Sequence, residues 1–172
     1  MKSNFNYLML LTLSIFLWSG CSEQREKVED QSAIGTTDDE AKVKEVLMAY
    51  KAGVEALSTT GLNDLFIKDS EVFESGGVEG SFAHYQDHHL SPELKAFKSF
   101  SFSDYKVTVQ IDLPYAFTTE TYDYTIALAS NERTIVQKGV ATSILKKVDA
   151  EWKILKTHTS ARAKKSEAEA GN

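Results

Sequence analysis

Trp152-Lys153-Ile154-Leu155-Lys156-Thr157-His158-Thr159-Ser160 is the stretch whose reading decides the fold. Trp152, Ile154, Thr157 and Thr159 favour extended backbone, and no glycine or proline interrupts them, so a strand is predicted from Trp152 to Arg162. Trp152, Ile154, Lys156, His158 and Ser160 share one parity, with Leu155 opposite. Lys156 fits poorly among apolar neighbours. Either that face opens to solvent there, or the strand carries a bulge.

Three more strands precede it. Asp149-Ala150 closes a hairpin with Thr134 to Lys147, a β-branched run with Gly139 at a bend. Ser130 to Arg133 turns the chain before that run. Ala116 to Leu128 sets Tyr122, Tyr124, Ile126 and Leu128 on one face, and Thr119, Thr121, Asp123 and Thr125 on the other. Leu113-Pro114-Tyr115 is a turn. In Phe97 to Asp112, Tyr105, Val107, Val109 and Ile111 share a face, but Phe100 and Phe102 have the opposite parity. A bulge near Ser103-Asp104 reconciles the two sets and bends the strand.

Helices come first in the chain. Val43, Val46, Leu47, Tyr50, Val54 and Leu57 form one apolar stripe at helical spacing. Thr37 and Glu40 fit a capping box at its start, and Gly61 suits a left-handed cap beyond its end. Glu71-Val72-Phe73-Glu74 reads as a short strand between glycine-rich turns, with Val72 and Glu74 on one side. Glu74 is either an edge-strand carboxylate in water or a carboxyl entering the core.

Ser81 to Leu94 holds three of the four histidines, His84, His88 and His89; His158 is the fourth. Ser81 is an N-cap for a helix from Phe82 to Leu90, which Pro92 should end before a second turn begins at Ser91. Phe82, Tyr85 and His89 fall near one line, and His84, Asp87 and His88 near another. Only one line can face the core squarely. Imidazoles beside a carboxylate can move protons near neutral pH or bind metal. His89 is read as packing or capping.

At the N-terminus, Lys2 precedes an almost unbroken apolar run from Tyr7 to Trp18. The pattern is that of a secretory signal, too short for a comfortable membrane span. Leu17-Trp18-Ser19-Gly20-Cys21 resembles a bacterial lipobox, although Trp18 stands where a small aliphatic residue is usual. That resemblance implies cleavage before Cys21 and a lipid on its thiol, hence a cell-envelope protein on the periplasmic face or cell surface. Cys21 is the single cysteine, which excludes an intramolecular disulfide. The organisation expected is a signal peptide at 1–20, a flexible tether at 21–36, one domain at 37–162 and a disordered tail at 163–172.

The formal net charge is −6, and loss of Lys2 with the signal makes it −7. No basic stripe is present. Nucleic-acid binding and electrostatic docking on anionic lipid are both disfavoured.

Helices followed by long hairpin-connected strands make an α+β domain with an antiparallel sheet and helices on one face. A bent strand curls such a sheet into a half-open cone. The N-terminal amphipathic helix, the Glu71–Glu74 strand, the Ser81–Leu94 helix and the Trp152–Ser160 strand together resemble the SnoaL-like branch of the nuclear transport factor 2-like superfamily. The resemblance spans Asp38 to about Arg162. It implies a cone-shaped barrel with an internal pocket, often a homodimer, in a group that includes cyclases, ketosteroid isomerases and dehydratases. His158 matches a histidine that recurs on the last strand of that family.

Three functional readings stay open. The first is a binding module for a small, partly apolar molecule, with a pocket lined by Glu74, His84, Tyr85, Tyr122, Tyr124, Trp152 and His158. The second is a cofactor-independent proton-transfer enzyme, with His158 or His88 as base and Glu74 or Asp87 orienting it. The third is a metal site at His84, His88 and His158, which requires their nitrogens to converge. The first is favoured, and no cofactor is expected.

Overall fold

The computed structural model describes residues 31–131 and 133–164. The expected signal peptide, Cys21, most of the expected tether and most of the expected tail lie outside the described residues. Helix α1 spans Gln31–Glu55. It therefore starts earlier than the capping-box reading placed it, and Thr37 lies inside it. Its stripe is the expected one: Val43, Leu47 and Val54 are buried, and Val46, Tyr50 and Leu57 pack half-buried against the same core. The opposite side carries the exposed Lys42–Asp38 pair.

Asp39 ties this helix to the sheet. Its carboxylate is 4 % exposed and accepts from Lys147 Nζ at 2.6 Å and Trp152 Nε1 at 2.9 Å. Burial pushes its pKa up, but the Lys147 and Trp152 hydrogen bonds outweigh that and hold it below the usual value. Trp152, expected to wall a pocket, is instead locked under the helix. A buried indole N–H needs an acceptor, and Asp39 supplies it.

Gly61, with φ +78°, turns the chain into a 3-10 turn at Leu62–Leu65. Strand β1 (Phe66–Glu74) and strand β2 (Gly77–Gly80) form a small hairpin. Ser81 then caps the next helix as expected, accepting from the His84 N–H at 3.3 Å. Helix α2 (Phe82–Tyr85), a π-helical turn (Gln86–Leu90) and helix α3 (Ser91–Ala96) run on without a stop. Ser91 keeps helical backbone, with φ −65° and ψ −41°. The wider turn before Pro92 accommodates its missing N–H and its ring, which a regular helix would not.

Strands β3 (Phe97–Asp112), β4 (Tyr115–Leu128), β5 (Thr134–Val148) and β6 (Glu151–Ala163) complete one six-stranded sheet in the order β2-β1-β6-β5-β4-β3. All pairings are antiparallel except β1 with β6, which is parallel, so the sheet is mixed. Chain order explains this: β1 and β6 are not joined by a hairpin, so nothing forces them to run opposite ways. Strand β6 extends through Ala163, and the Lys164 ammonium pairs with Asp123, so the ordered domain runs slightly past the expected boundary.

The register shifts at several points of the sheet, and two of these bulges set which residues face the core. Register shifts between Ser103 and Lys106, where Asp104 has φ +50°. Phe100 and Phe102 thereby join Val107, Val109 and Ile111 against the core. The second bulge interrupts β5–β6: Ile144 pairs with Lys156, but Leu145 with Ile154. It resolves the Lys156 problem and reverses the parity of everything after it.

Candidate functional site

The bent sheet and the helices enclose a cavity of two adjoining lobes. The mouth lobe holds about 390 Å³ and the inner lobe about 50 Å³. Tyr50, Tyr85, Phe102, Tyr122 and Thr159 wall both lobes. Each reaches the cavity for a local reason. Tyr50 lies on the buried stripe of α1. Phe102 is turned inward by the β3 bulge. Thr159 follows the β6 bulge. Tyr122 lies over Gly139 of the neighbouring strand, where an added Cβ would come within 2.3 Å of its ring. Gly139 is thus the seat of that tyrosine.

Polar groups sit in two places. In the inner lobe, Glu120 is 9 % exposed, and Tyr105 donates to one of its oxygens at 2.5 Å. Burial pushes the Glu120 carboxyl above its usual pKa, and the Tyr105 hydrogen bond opposes this only in part. Lys51 also lines this lobe, but Glu55 holds it at 2.7 Å, and Glu55 also accepts the Phe102 N–H at 2.8 Å. At the mouth, Tyr85 donates to Glu74 at 2.9 Å. His89 lies 3.6 Å from Glu74, 3.3 Å from Glu93 and 3.5 Å from Glu79. Burial raises the Glu93 pKa; His89 opposes this, while Glu74 and Glu79 add to it.

Burial also pushes the Tyr50, Tyr85, Tyr105 and Tyr122 phenols well above their ordinary pKa. They stay protonated and can donate. The hydroxyls of Tyr50, Tyr122 and Tyr124 donate to no other group among the described residues. The cavity thus presents unspent donors and carboxyl acceptors on aromatic walls.

Glu74, Tyr85, Tyr122 and Tyr124 line the cavity as expected. His158 does not. After the β6 bulge, Thr157 and Thr159 turn inward, and His158 projects from the opposite face, edge-on to Phe73 at 6.5 Å. His84 and His88 are exposed on the helical segment, with ring centroids 4.4 Å apart; Asp87 is exposed beside them. The Nδ1 of His84 contacts the Glu79 carbonyl at 3.0 Å. The expected convergence of His84, His88 and His158 is therefore overturned: a sheet separates the last from the other two. Among the described residues, no three His, Cys, Asp or Glu side chains are placed to hold a metal ion. His158 and His88 are equally unable to serve as a base inside the cavity. His89, read from the sequence as packing or capping, is the histidine beside the mouth carboxylates, its ring tilted by 31° against Tyr85 at 5.2 Å. Its shared helical line with Phe82 and Tyr85 was the available signal. Glu120 was missed. It alternates with Tyr122 and Tyr124 along one face of β4, which was signal enough.

Neither a protein-family model nor a curated protein matches the sequence. Solved structures match its fold. A nuclear transport factor 2-like superfamily protein from Salmonella enterica is 16 % identical, with a TM-score of 0.66 over 78 % of this chain and 98 % of that one. The chain has a nuclear transport factor 2-like fold. Among other proteins with this fold, a LinA-type3 hexachlorocyclohexane dehydrochlorinase from Novosphingobium barchaimii is 14 % identical, with a TM-score of 0.64 over 77 % of this chain and 91 % of that one. A protein provisionally assigned as a ketosteroid isomerase from Shewanella frigidimarina is 21 % identical, with a TM-score of 0.60 over 67 % of this chain and 92 % of that one. At such identities, the nuclear transport factor 2-like fold is what is shared, and function has to be argued from the cavity.

Proposed function

We propose that the protein binds a small, partly apolar molecule in the two-lobed cavity, as a lipid-anchored domain of the bacterial cell envelope in the SnoaL-like branch of its fold. The observation that carries the binding reading is the mouth lobe: about 390 Å³ walled by aromatic rings, with the Tyr122 and Tyr124 hydroxyls and the Glu74 and Glu93 carboxyls set around it. Pockets of this size and lining hold small ligands, the apolar walls supplying affinity and the few polar groups orientation. Anchoring is supported by the Leu17–Cys21 stretch, and branch membership by the Trp152–Ser160 strand.

A thermal-shift screen of small aromatic and amphipathic compounds tests the binding reading. Thr159→Phe, which places a ring in the space shared by both lobes, is the control. Compounds that raise the melting temperature of the wild-type chain with concentration should have no effect on the variant. Stabilisation of both chains alike would reject the cavity as the site.

The Glu120–Tyr105 pair favours a second reading, cofactor-independent proton transfer. A carboxyl with a raised pKa, buried in a lobe with aromatic walls, can exchange a proton with a bound substrate. A protonated Tyr50 or Tyr122 hydroxyl could donate to an oxyanion that develops. Glu120→Gln should then abolish any turnover found while leaving ligand binding in place; retained turnover would remove Glu120 from the mechanism.

A further inference from the structure

We infer that the molecule bound in this cavity is an organic cation, an amine whose ammonium group lodges in the mouth lobe between Glu74 and Glu93. This inference rests on the binding reading above and adds the charge of the ligand to it. Three observations carry it.

The mouth lobe is lined by two carboxylates and, among the described residues, by no lysine or arginine. The basic side chain beside both carboxylates is His89, at 3.6 Å from Glu74 and 3.3 Å from Glu93. Its other nitrogen is 3.5 Å from Glu79, so a third carboxylate competes for the same imidazole. One imidazole faces three acids, so this side of the mouth carries an excess of acid over base that favours a cation over an anion.

The walls are made for a cation as well. Phe100 and Tyr124 stack at 5.3 Å, Phe102 meets Tyr122 edge-on at 5.1 Å, and all four rings line the mouth. Ring faces attract an ammonium through their quadrupole, most strongly where water is excluded. Lys51 shows the same attraction one lobe deeper, with Nζ 5.3 Å from the Phe102 ring centroid.

The inner lobe agrees. Glu120, nine-tenths buried, gives one oxygen to Tyr105, and the other has no partner among the described residues. Among the described residues the one cation lining that lobe, Lys51, is already held by Glu55. Among the described residues the two lobes are lined by three carboxyls, Glu74, Glu93 and Glu120, against the single lysine Lys51, and the two at the mouth set the charge that an entering ligand meets. An anionic ligand would meet repulsion at the mouth, and a neutral one would gain no attraction from the carboxylates.

The test uses three probes of nearly one shape, titrated into the full-length chain and followed by calorimetry and by tyrosine fluorescence. They are benzyltrimethylammonium, its uncharged carbon analogue neopentylbenzene, and phenylacetate. The cation should bind roughly tenfold more tightly than the neutral analogue, and phenylacetate should not bind. In the Glu74→Gln, Glu93→Gln double variant, which keeps the acceptor for Tyr85, the preference should shrink to about threefold or less. Equal or tighter binding of the neutral analogue, or of the anion, overturns the charge assignment while leaving the cavity as a binding site. Failure of all three probes to bind, with screening hits that Thr159→Phe abolishes, overturns the cation alone. Failure of the probes together with an empty screen overturns both readings.

Discussion

Glu120 is the residue on which the chemistry of the inner lobe turns. Its carboxyl is held above the usual pKa, so the folded state binds its proton more tightly than the unfolded chain does. Its contribution to stability is therefore present below the ordinary glutamate pKa and is lost as pH rises through the raised folded value. Glutamine keeps the acceptor for Tyr105 without the buried charge. Thermal unfolding of Glu120→Gln should show a melting temperature about 2–6 °C above wild type at pH 8, with the gap closing by pH 4. A gap that widens toward acid would mean that the charged form is the stabilised one. At this scale the sequence was only partly legible. The alternation of β4 gave Tyr122 and Tyr124 correctly. Unbroken alternation through Leu155 puts His158 on the inner face, but the single extra residue of the bulge reverses every side chain after it.

Elements were easier to read, because the apolar patterns that define them span many residues. The α1 stripe, the Ser81 cap and the β3 bulge at Ser103–Asp104 could all be inferred from periodicity. The continuous helical segment across Pro92 could not, since a π-helical turn has no compositional mark. Nor could the clamp that seats α1. Asp39 lies in a run of acids that reads as ordinary helix-start chemistry, yet it alone is buried beneath Lys147 and Trp152. Asp39→Ala would leave a buried indole N–H and a lysine without their acceptor. It should lower stability by about 2–3 kcal/mol in chemical denaturation. A change within about 0.5 kcal/mol would show that α1 is held by its apolar stripe alone.

The whole molecule follows from a sheet bent where its register shifts and closed by helices. Its outline was legible from element order, and its parallel β1–β6 pairing was not, because strand order in a sheet is not written in the sequence of hairpins. Among the described residues no helix is long and apolar enough to cross a membrane. Attachment on our account depends on the lipid at Cys21. Cys21→Ser should move the protein from the membrane fraction to the soluble fraction of cells and abolish labelling with a palmitate analogue; unchanged membrane association and labelling would exclude the anchor.

The central claim, that the cavity is where a ligand is held, is tested most directly by a native mass spectrum of the full-length chain gently extracted from cells. The account predicts a retained small organic mass that harsher activation releases and that Thr159→Phe lacks. The same mass retained by Thr159→Phe would place the ligand elsewhere on the protein and contradict the account.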